Sequence, residues 1–364
     1  MPPNALAAVT GIGLSTSLGA NAAQACASFR AGLARFRLSE RHLCVPLEEG
    51  DGDLEPSTVA PARCFTGPAE GIERLLQLSF PALAEAVRDA RISRADLARG
   101  GLCIALPQAS RPESAGWEDA FADALCRRAG LPKPETVTVS RAGHSGFVEA
   151  ARSAVAVLNE RREAVTVVLA VDSFLDAATL VWLDERGRLK CSRSPEGVIA
   201  GEAAAACVLE RASRAASRGA RVWETIEAIG VAAEPATYWL DLAGTHACTG
   251  EGLARAVGAA ASQLAEPPAP PWVLSDHNGE RYRALEWGYV VSRQHALLAN
   301  LRDTWFIADA LGDVGAAAGG VLAARAAHAF ARGYAPARRA ILVGSSDDGA
   351  RGALVLGAPQ NGGS

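Results

Sequence analysis

Two stretches of the chain share one design, and together they restrict its fold more than any other feature. In "RAGHSGFVEAARSA", residues 141–154, and "LGDVGAAAGGVLAARAA", residues 311–327, glycines form a turn that leads into an alanine-rich helix. In the first, Phe147, Ala150, Ala151, Ala154, Val155 and Leu158 recur at helical spacing, and the β-branched run Val137–Val139 ahead of the turn reads as a strand. Around these units, strand-like runs such as "ALAAVTGIG", "GLCIAL", "AVTVVLAVDS", "EAAAACVLE", "PWVLSDHNG" and "RRAILVGSS" alternate with helical segments along the whole length. This alternation predicts an α/β protein with buried sheets covered by helices, and the two matching units suggest a duplicated α/β half.

Composition removes several function classes. The 364 residues are 49% hydrophobic, ample for a large core, and the net charge of −4 with no basic run gives no field for nucleic acid or an anionic membrane. The opening "MPPNALAAVTGIG" lacks a basic leader, and no apolar run approaches a membrane span, so a cytoplasmic, non-exported protein is expected. The eight cysteines are scattered, with no CxxC pair and no zinc-ligand spacing. Reduced thiols and no metal or cofactor are therefore expected. Polar, Pro-rich stretches near residues 45–70, 107–116 and 264–271 read as surface loops.

A helix N-terminus behind a tight turn suits a reactive side chain, because unpaired N–H groups and the positive dipole end stabilise an anion. Here the candidates are Gly143, His144 and Ser145, and none is a cysteine. "GHSGF" lacks the second glycine of a serine nucleophile elbow, since Phe147 stands in its place. His144, with no acid beside it in sequence, reads as a turn or interface residue. "GTHACTGEGLARAV" places His246 and Cys248 before a helix start that reads as capped by Thr249, where a carrier or coenzyme phosphate would also fit. "NGERYRALEWG" gathers Arg281, Arg283, Glu286 and Trp287 in one polar stretch, the place where a new role would reside.

In the order of these motifs the chain resembles the β-ketoacyl synthases of the thiolase-fold superfamily over nearly its full length. "AVTGIGLSTSLGANAAQACASFRAGLARF" is similar to the family's opening strand, glycine turn and first helix. "SPEGVIAGEAAAACVLE" matches a central family segment at Pro195, Gly197, Gly201, Glu202, Ala203, Leu209 and Glu210. "RRAILVGSSDDGARGALVLG" resembles the closing loop and hairpin, with the family's glycine-rich gate replaced by "GSSDDGA". The resemblance implies duplicated halves, residues 1–220 and 221–364, forming a five-layer αβαβα core. It also implies a dimer, with "AVTVVLAVDS" pairing across the two-fold axis, and makes Ser145 a helix cap and Glu202 a fold residue that bonds backbone amides.

The same alignment implies a degenerate triad. Gly143 occupies the position of the nucleophilic cysteine, His277 that of the first catalytic histidine and Asp313 that of the second, while the family's lysine falls near Ala308. Condensation needs a thiolate to carry the acyl chain and two histidine donors for the developing oxyanion, so condensing activity is expected to be absent. His277 and Asp313 are expected to lie together as an ion pair. Three readings follow for what looks like a bacterial pseudoenzyme of the 3-oxoacyl-ACP synthase type. The first is a silent partner or scaffold subunit, homodimeric or paired with a related synthase as chain-length-factor-like subunits are, with acyl carrier protein as a further partner. The second is an acyltransferase with altered chemistry, and the third an accessory protein of a secretion-effector cluster that would bind an effector.

Overall fold

The computed structural model describes residues 5–44, 54–162, 164–269 and 271–359. Among the described residues twelve strands are formed: β1 (Ala7–Thr16), β2 (Arg37–Cys44), β3 (Glu55–Ala60), β4 (Gly101–Ala105), β5 (Thr136–Ser140), β6 (Val165–Ser173), β7 (Ala200–Glu210), β8 (Glu224–Ala233), β9 (Trp272–Ser275), β10 (Asp303–Trp305), β11 (Arg339–Ser345) and β12 (Ala350–Gly357). β1, β6 and β7 are buried along their entire lengths. Strands covered on both faces need no polar side, which is why their sequences are continuous apolar runs rather than alternating ones.

The strand order is β5-β4-β6-β7-β1 and then β8-β12-β11-β9-β10, so the same arrangement occurs twice. In each, two parallel pairings are followed by antiparallel ones: β4 runs with β5 and β6, and β9 with β10 and β11. A short antiparallel pairing of Ala7–Val9 with Glu224–Ile226 joins the two sets at an edge. The hairpin of β2 and β3 attaches to the start of β7.

The two alanine-rich helices, Gly146–Glu160 and Ala318–Arg332, lie between the sheets, their small side chains letting both fit in one layer. They cross where Phe147 packs on Gly319 and Gly320; a Cβ at Gly319 would stand 2.8 Å from that of Phe147. The Gly71–Ala90 helix covers the outer face of the first sheet, and the Glu251–Ala261 helix that of the second. The "GIG" of β1 is required by this packing: a Cβ on Gly11 or Gly13 would come within 2.2 or 2.1 Å of a carbonyl oxygen of the covering helix. The five layers and the thiolase fold expected from the sequence are present.

Two expectations are corrected. β6, the "AVTVVLAVDS" strand, is hydrogen-bonded on both sides, to β4 and β7, and has no free edge for a second subunit. Among the described residues the ends of the strand order are β10 and β5, and β5 lies immediately before the Gly143 turn. Residues 107–116 are no surface loop throughout, since Gln108, Arg111 and Ser114 are buried; residues 45–53 lie outside the described ones. Glu202 does act as a fold residue. Its carboxylate accepts from the Ala62 amide at 2.7 Å, the Thr66 hydroxyl at 2.9 Å and the Arg74 guanidinium at 2.6 Å.

Glu224 of β8 is an unpartnered acid. It is fully buried, and neither carboxyl oxygen has a hydrogen-bond partner. Burial pushes its carboxyl well above the usual range, so it is neutral in the folded chain. An acid with a raised folded pKa supports the fold fully below its unfolded pKa and loses that support as pH rises through the folded one. Glu224→Leu is therefore expected to stabilise the protein at pH 8 by about 1–3 kcal/mol, the usual cost of an unpaired buried polar group. Urea unfolding at several pH values checks this, with a gain that grows with pH.

Candidate functional site

The loops at the carboxyl ends of the parallel strands in both sheets converge on one point, the position where open α/β sheets place their sites. From the first half come His144, in the 3-10 turn Gly143–Ser145, and Arg111 and Asp172 after β4 and at the end of β6. Arg188 follows the Ala177–Glu185 helix. From the second come Asp276, Asn278 and Glu280 between β9 and the Arg281–Arg293 helix, Arg283 in that helix's first turn, Asp313 before the turn Gly315–Ala317, and Asp347 between β11 and β12. All of these side chains are buried.

Arg111 and Asp172 pair with each other at 3.3 Å; the other eight form a continuous polar and ionic network. His144 Nε2 lies 2.7 Å from Asp313 Oδ1, whose carboxylate also accepts from the Asn278 amide at 2.7 Å and the Gly315 N–H at 2.8 Å. Arg283 is the hub. It reaches His144 Nδ1 at 3.1 Å, Asp276 at 3.1 Å and Asp347 at 3.0 Å, and donates to the Ser345 carbonyl. Arg188 forks onto both oxygens of Glu280, at 2.7 and 2.8 Å, and donates to Asp347 at 2.8 Å. Its guanidinium stacks 4.0 Å over the ring of Tyr238, whose hydroxyl donates to Glu280 at 2.9 Å.

Burial alone would neutralise these groups, and their mutual charges oppose it. Desolvation raises the Asp313 carboxyl, but the His144 and Arg283 charges and the Asn278 hydrogen bond outweigh it and hold it far below the usual range. Desolvation and Arg283 push His144 down, while Asp313 and Asp276 push it up and prevail. Asp347, penalised by burial, is nonetheless drawn down to about 2 by Arg188 and Arg283. The His144 imidazole thus lies between the Asp313 carboxylate and the Arg283 guanidinium, and Asp313, Asp276, Asp347 and Glu280 each contact a guanidinium, an imidazole or an amide. Asp172 differs: burial raises its carboxyl in spite of Arg111.

At the helix start, Gly143 has φ of +51°, and a Cβ there would meet Gln108 Oε1 at 3.0 Å and Ser346 Oγ at 3.1 Å. The space that a side chain at residue 143 would need is filled by those two side chains. Ser145 does not cap the helix; its hydroxyl is buried without a partner.

The predicted His277–Asp313 pair does not form. His277 Nδ1 faces the Ser275 hydroxyl, its ring meets Trp287 and Phe306 edge-on, and burial lowers its pKa. Asn278 takes the Asp313 contact instead, because successive side chains of an extended segment point opposite ways. Conversely, His144 is no interface residue: its acid partner lies 169 positions away in the chain. Glu286 is buried on Arg351, at 2.6 Å, and on the Ser345 hydroxyl, Trp287 packs on the second sheet's outer core, and Arg281 is exposed. Arg281 rims a 210 Å³ cleft whose wall includes Arg188, Tyr238 and Glu280, the outer face of the network. His246 is exposed, and the start of the Glu251–Ala261 helix is bonded by Glu234, at 2.8 Å to the Gly252 N–H, and by the Thr249 hydroxyl, at 3.4 Å to the Glu251 N–H.

Sequence reading missed Arg188, Asp347, Glu280, Asn278 and Asp172. The visible signal was polar density directly after strands, in "SDHNGE" and "SSDDG", where a structural loop needs none.

No protein-family model and no curated protein sequence matches the chain. Solved structures do. A type II polyketide ketosynthase in complex with its acyl-carrier protein (AntDE:AntF) aligns at a TM-score of 0.77 with 13% identity, covering 98% of this chain and 100% of that one. The ishigamide ketosynthase/chain length factor aligns at 0.75 with 17% identity, over 97% and 99% of the two chains. A β-ketoacyl synthase from Burkholderia phymatum STM815 aligns at 0.73 with 15% identity, over 97% and 99%. Among the described residues no helix is long and apolar enough to cross a membrane. With its twice-repeated strand order, its paired central helices and these structural neighbours, the chain has the thiolase fold of the β-ketoacyl synthases.

Proposed function

We propose that this protein is a catalytically silent ketosynthase-like subunit that works as a partner or scaffold. The observation that carries this reading is the His144–Asp313–Arg283 network: where condensation requires a thiolate and neutral imidazole donors, the pocket holds Gly143 and a closed set of ion pairs. A carboxylate at residue 313 opposes an oxyanion, and its partner imidazole is spent on it. The chain length factor and the acyl-carrier complex among the structural neighbours support pairing with a second thiolase-fold chain and contact with a carrier protein. The division at residues 1–220 and 221–364 belongs to this reading, supported by the repeated strand order. The eight cysteines, all free thiols, support a reducing, cytoplasmic setting.

β5 supports a dimer. Its five residues "TVTVS" are half-buried, β-branched and unpaired along one edge, a liability that a second chain would cover. Light scattering is expected to show a dimer, alone or on mixing with a related synthase. A stable monomer that captures no thiolase-fold partner, or condensation of acyl and malonyl thioesters by the purified protein, contradicts the reading.

A further inference from the structure

Away from the network, three segments bring together a second set of reactive side chains. β2 ends in "HLC", and the two-residue period of a strand puts His42 and Cys44 on one face. That face meets the C-terminal turn of the Ala177–Glu185 helix, which supplies Asp184, and the loop behind it, which supplies Cys191. The ligand atoms of His42, Cys44 and Asp184 all lie within 4.8 Å of one another. His42 Nε2 is 3.1 Å from Asp184 Oδ2, while Asp184 Oδ1 is held at 2.6 Å by Arg193. The Cys191 thiol lies within hydrogen-bonding reach of that of Cys44. Cys44 is fully buried over a small apolar cluster with Val59, Leu180, Leu183 and Leu189.

We propose that His42, Cys44, Asp184 and Cys191 form a structural zinc site that clips β2 to the 177–194 segment. Two thiols, an imidazole and a carboxylate match a borderline-soft divalent ion that prefers four mixed sulfur and nitrogen ligands; hard ions such as magnesium or calcium take oxygen sets instead. The ligands come from three places in the chain, so no compact cysteine motif announces them. Arg193 has the place of an outer-shell group: by fixing one carboxylate oxygen it turns the other toward His42 and the thiols. The apolar floor excludes water from the buried side, and the partly exposed His42 and Asp184 leave an entry path.

The test uses the full chain, reduced, stripped by chelator and equilibrated with buffered zinc before gel filtration and metal analysis. About one zinc per chain is expected. Affinity should fall by roughly 10–100-fold in Arg193→Ala and further in Cys44→Ser, Cys191→Ser and His42→Ala, while Cys64→Ser, an exposed thiol elsewhere, keeps it. Circular dichroism of each variant separates lost binding from lost folding. Cobalt bound to the unaltered protein gives an independent reading, since tetrahedral thiolate ligation has a characteristic visible absorption. The proposal is overturned by a wild-type chain that takes no zinc, by binding undiminished in Cys44→Ser and His42→Ala, or by a Cys44–Cys191 disulfide as the stable form under reductant.

Discussion

Arg283→Met is expected to destabilise the protein by about 3–5 kcal/mol, the range for breaking a buried ionic cluster by removing one partner. Its guanidinium touches His144, Asp276 and Asp347 and closes on the Ser345 carbonyl, all of them buried. With it gone, Asp276 loses its guanidinium partner and Asp347 keeps Arg188 and the Gln108 amide. Methionine matches the length of the stem but not the five donors of the fork, and Arg283→Lys should recover only part of the loss, because a point charge cannot address three carboxylate and carbonyl groups at once. Urea unfolding measures both variants. A shift under 1 kcal/mol for Arg283→Met would mean that the network is solvated and not the closed site described above.

The second large effect is in pH dependence, and its sign follows from the two ends of the His144–Asp313 pair. Asp313 and Asp347 have depressed carboxyls, so their support is present above the ordinary carboxylate pKa near 3.9 and is lost as pH falls through the folded values, about 2 for Asp347. His144 has a raised imidazole, so its support is complete below about 6.5 and lost as pH rises through the higher folded value. The contributions of these three groups together should therefore be greatest between roughly pH 4 and 6.5, and the alkaline decline has two sources, His144 and the buried Glu224. Asp313→Asn removes the counter-charge, lowers stability by about 3–5 kcal/mol within that window and removes the His144 share of the alkaline decline, leaving that of Glu224. Denaturant midpoints against pH, with NMR titration of the His144 ring, read this directly. An unchanged His144 pKa in Asp313→Asn would dissociate the pair.

Much of the fold could be read from the sequence because it depends on patterns that survive substitution. Continuous apolar runs mark β1, β6 and β7, and the two alanine-rich helices show their place in the middle layer by the small residues of their buried faces. The free sheet edge was misplaced because hydrophobicity marks burial without saying what does the burying. β6 is the more apolar strand precisely since its neighbours within the chain cover it, and β5 is the modest one left at the edge. In the site, the positions of Gly143 and Asp313 beside the convergent loops were legible, but their partnerships were not. His144 finds Asp313 across the whole duplicated fold, and the choice between His277 and Asn278 turns on a single position in the loop after β9. Arg188 and Asp347 meet only through the folded chain, so spacing carries no trace of them.

On the proposed reading, the pocket beside Gly143 is a closed ionic core that accepts no acyl group. Two buried hydroxyls without partners lie at it: that of Ser145, in the same turn, and that of Ser346, 3.1 Å from where a Gly143 Cβ would stand. The most direct measurement is intact mass spectrometry of the full chain after prolonged incubation with acyl-carrier-protein and coenzyme A thioesters, followed by peptide mapping of residues 142–146 and 344–348. The account predicts an unmodified mass. An acyl adduct on Ser145 or Ser346, lost in the corresponding alanine variant, would contradict it and make the His144–Asp313 pair part of a working acyltransferase.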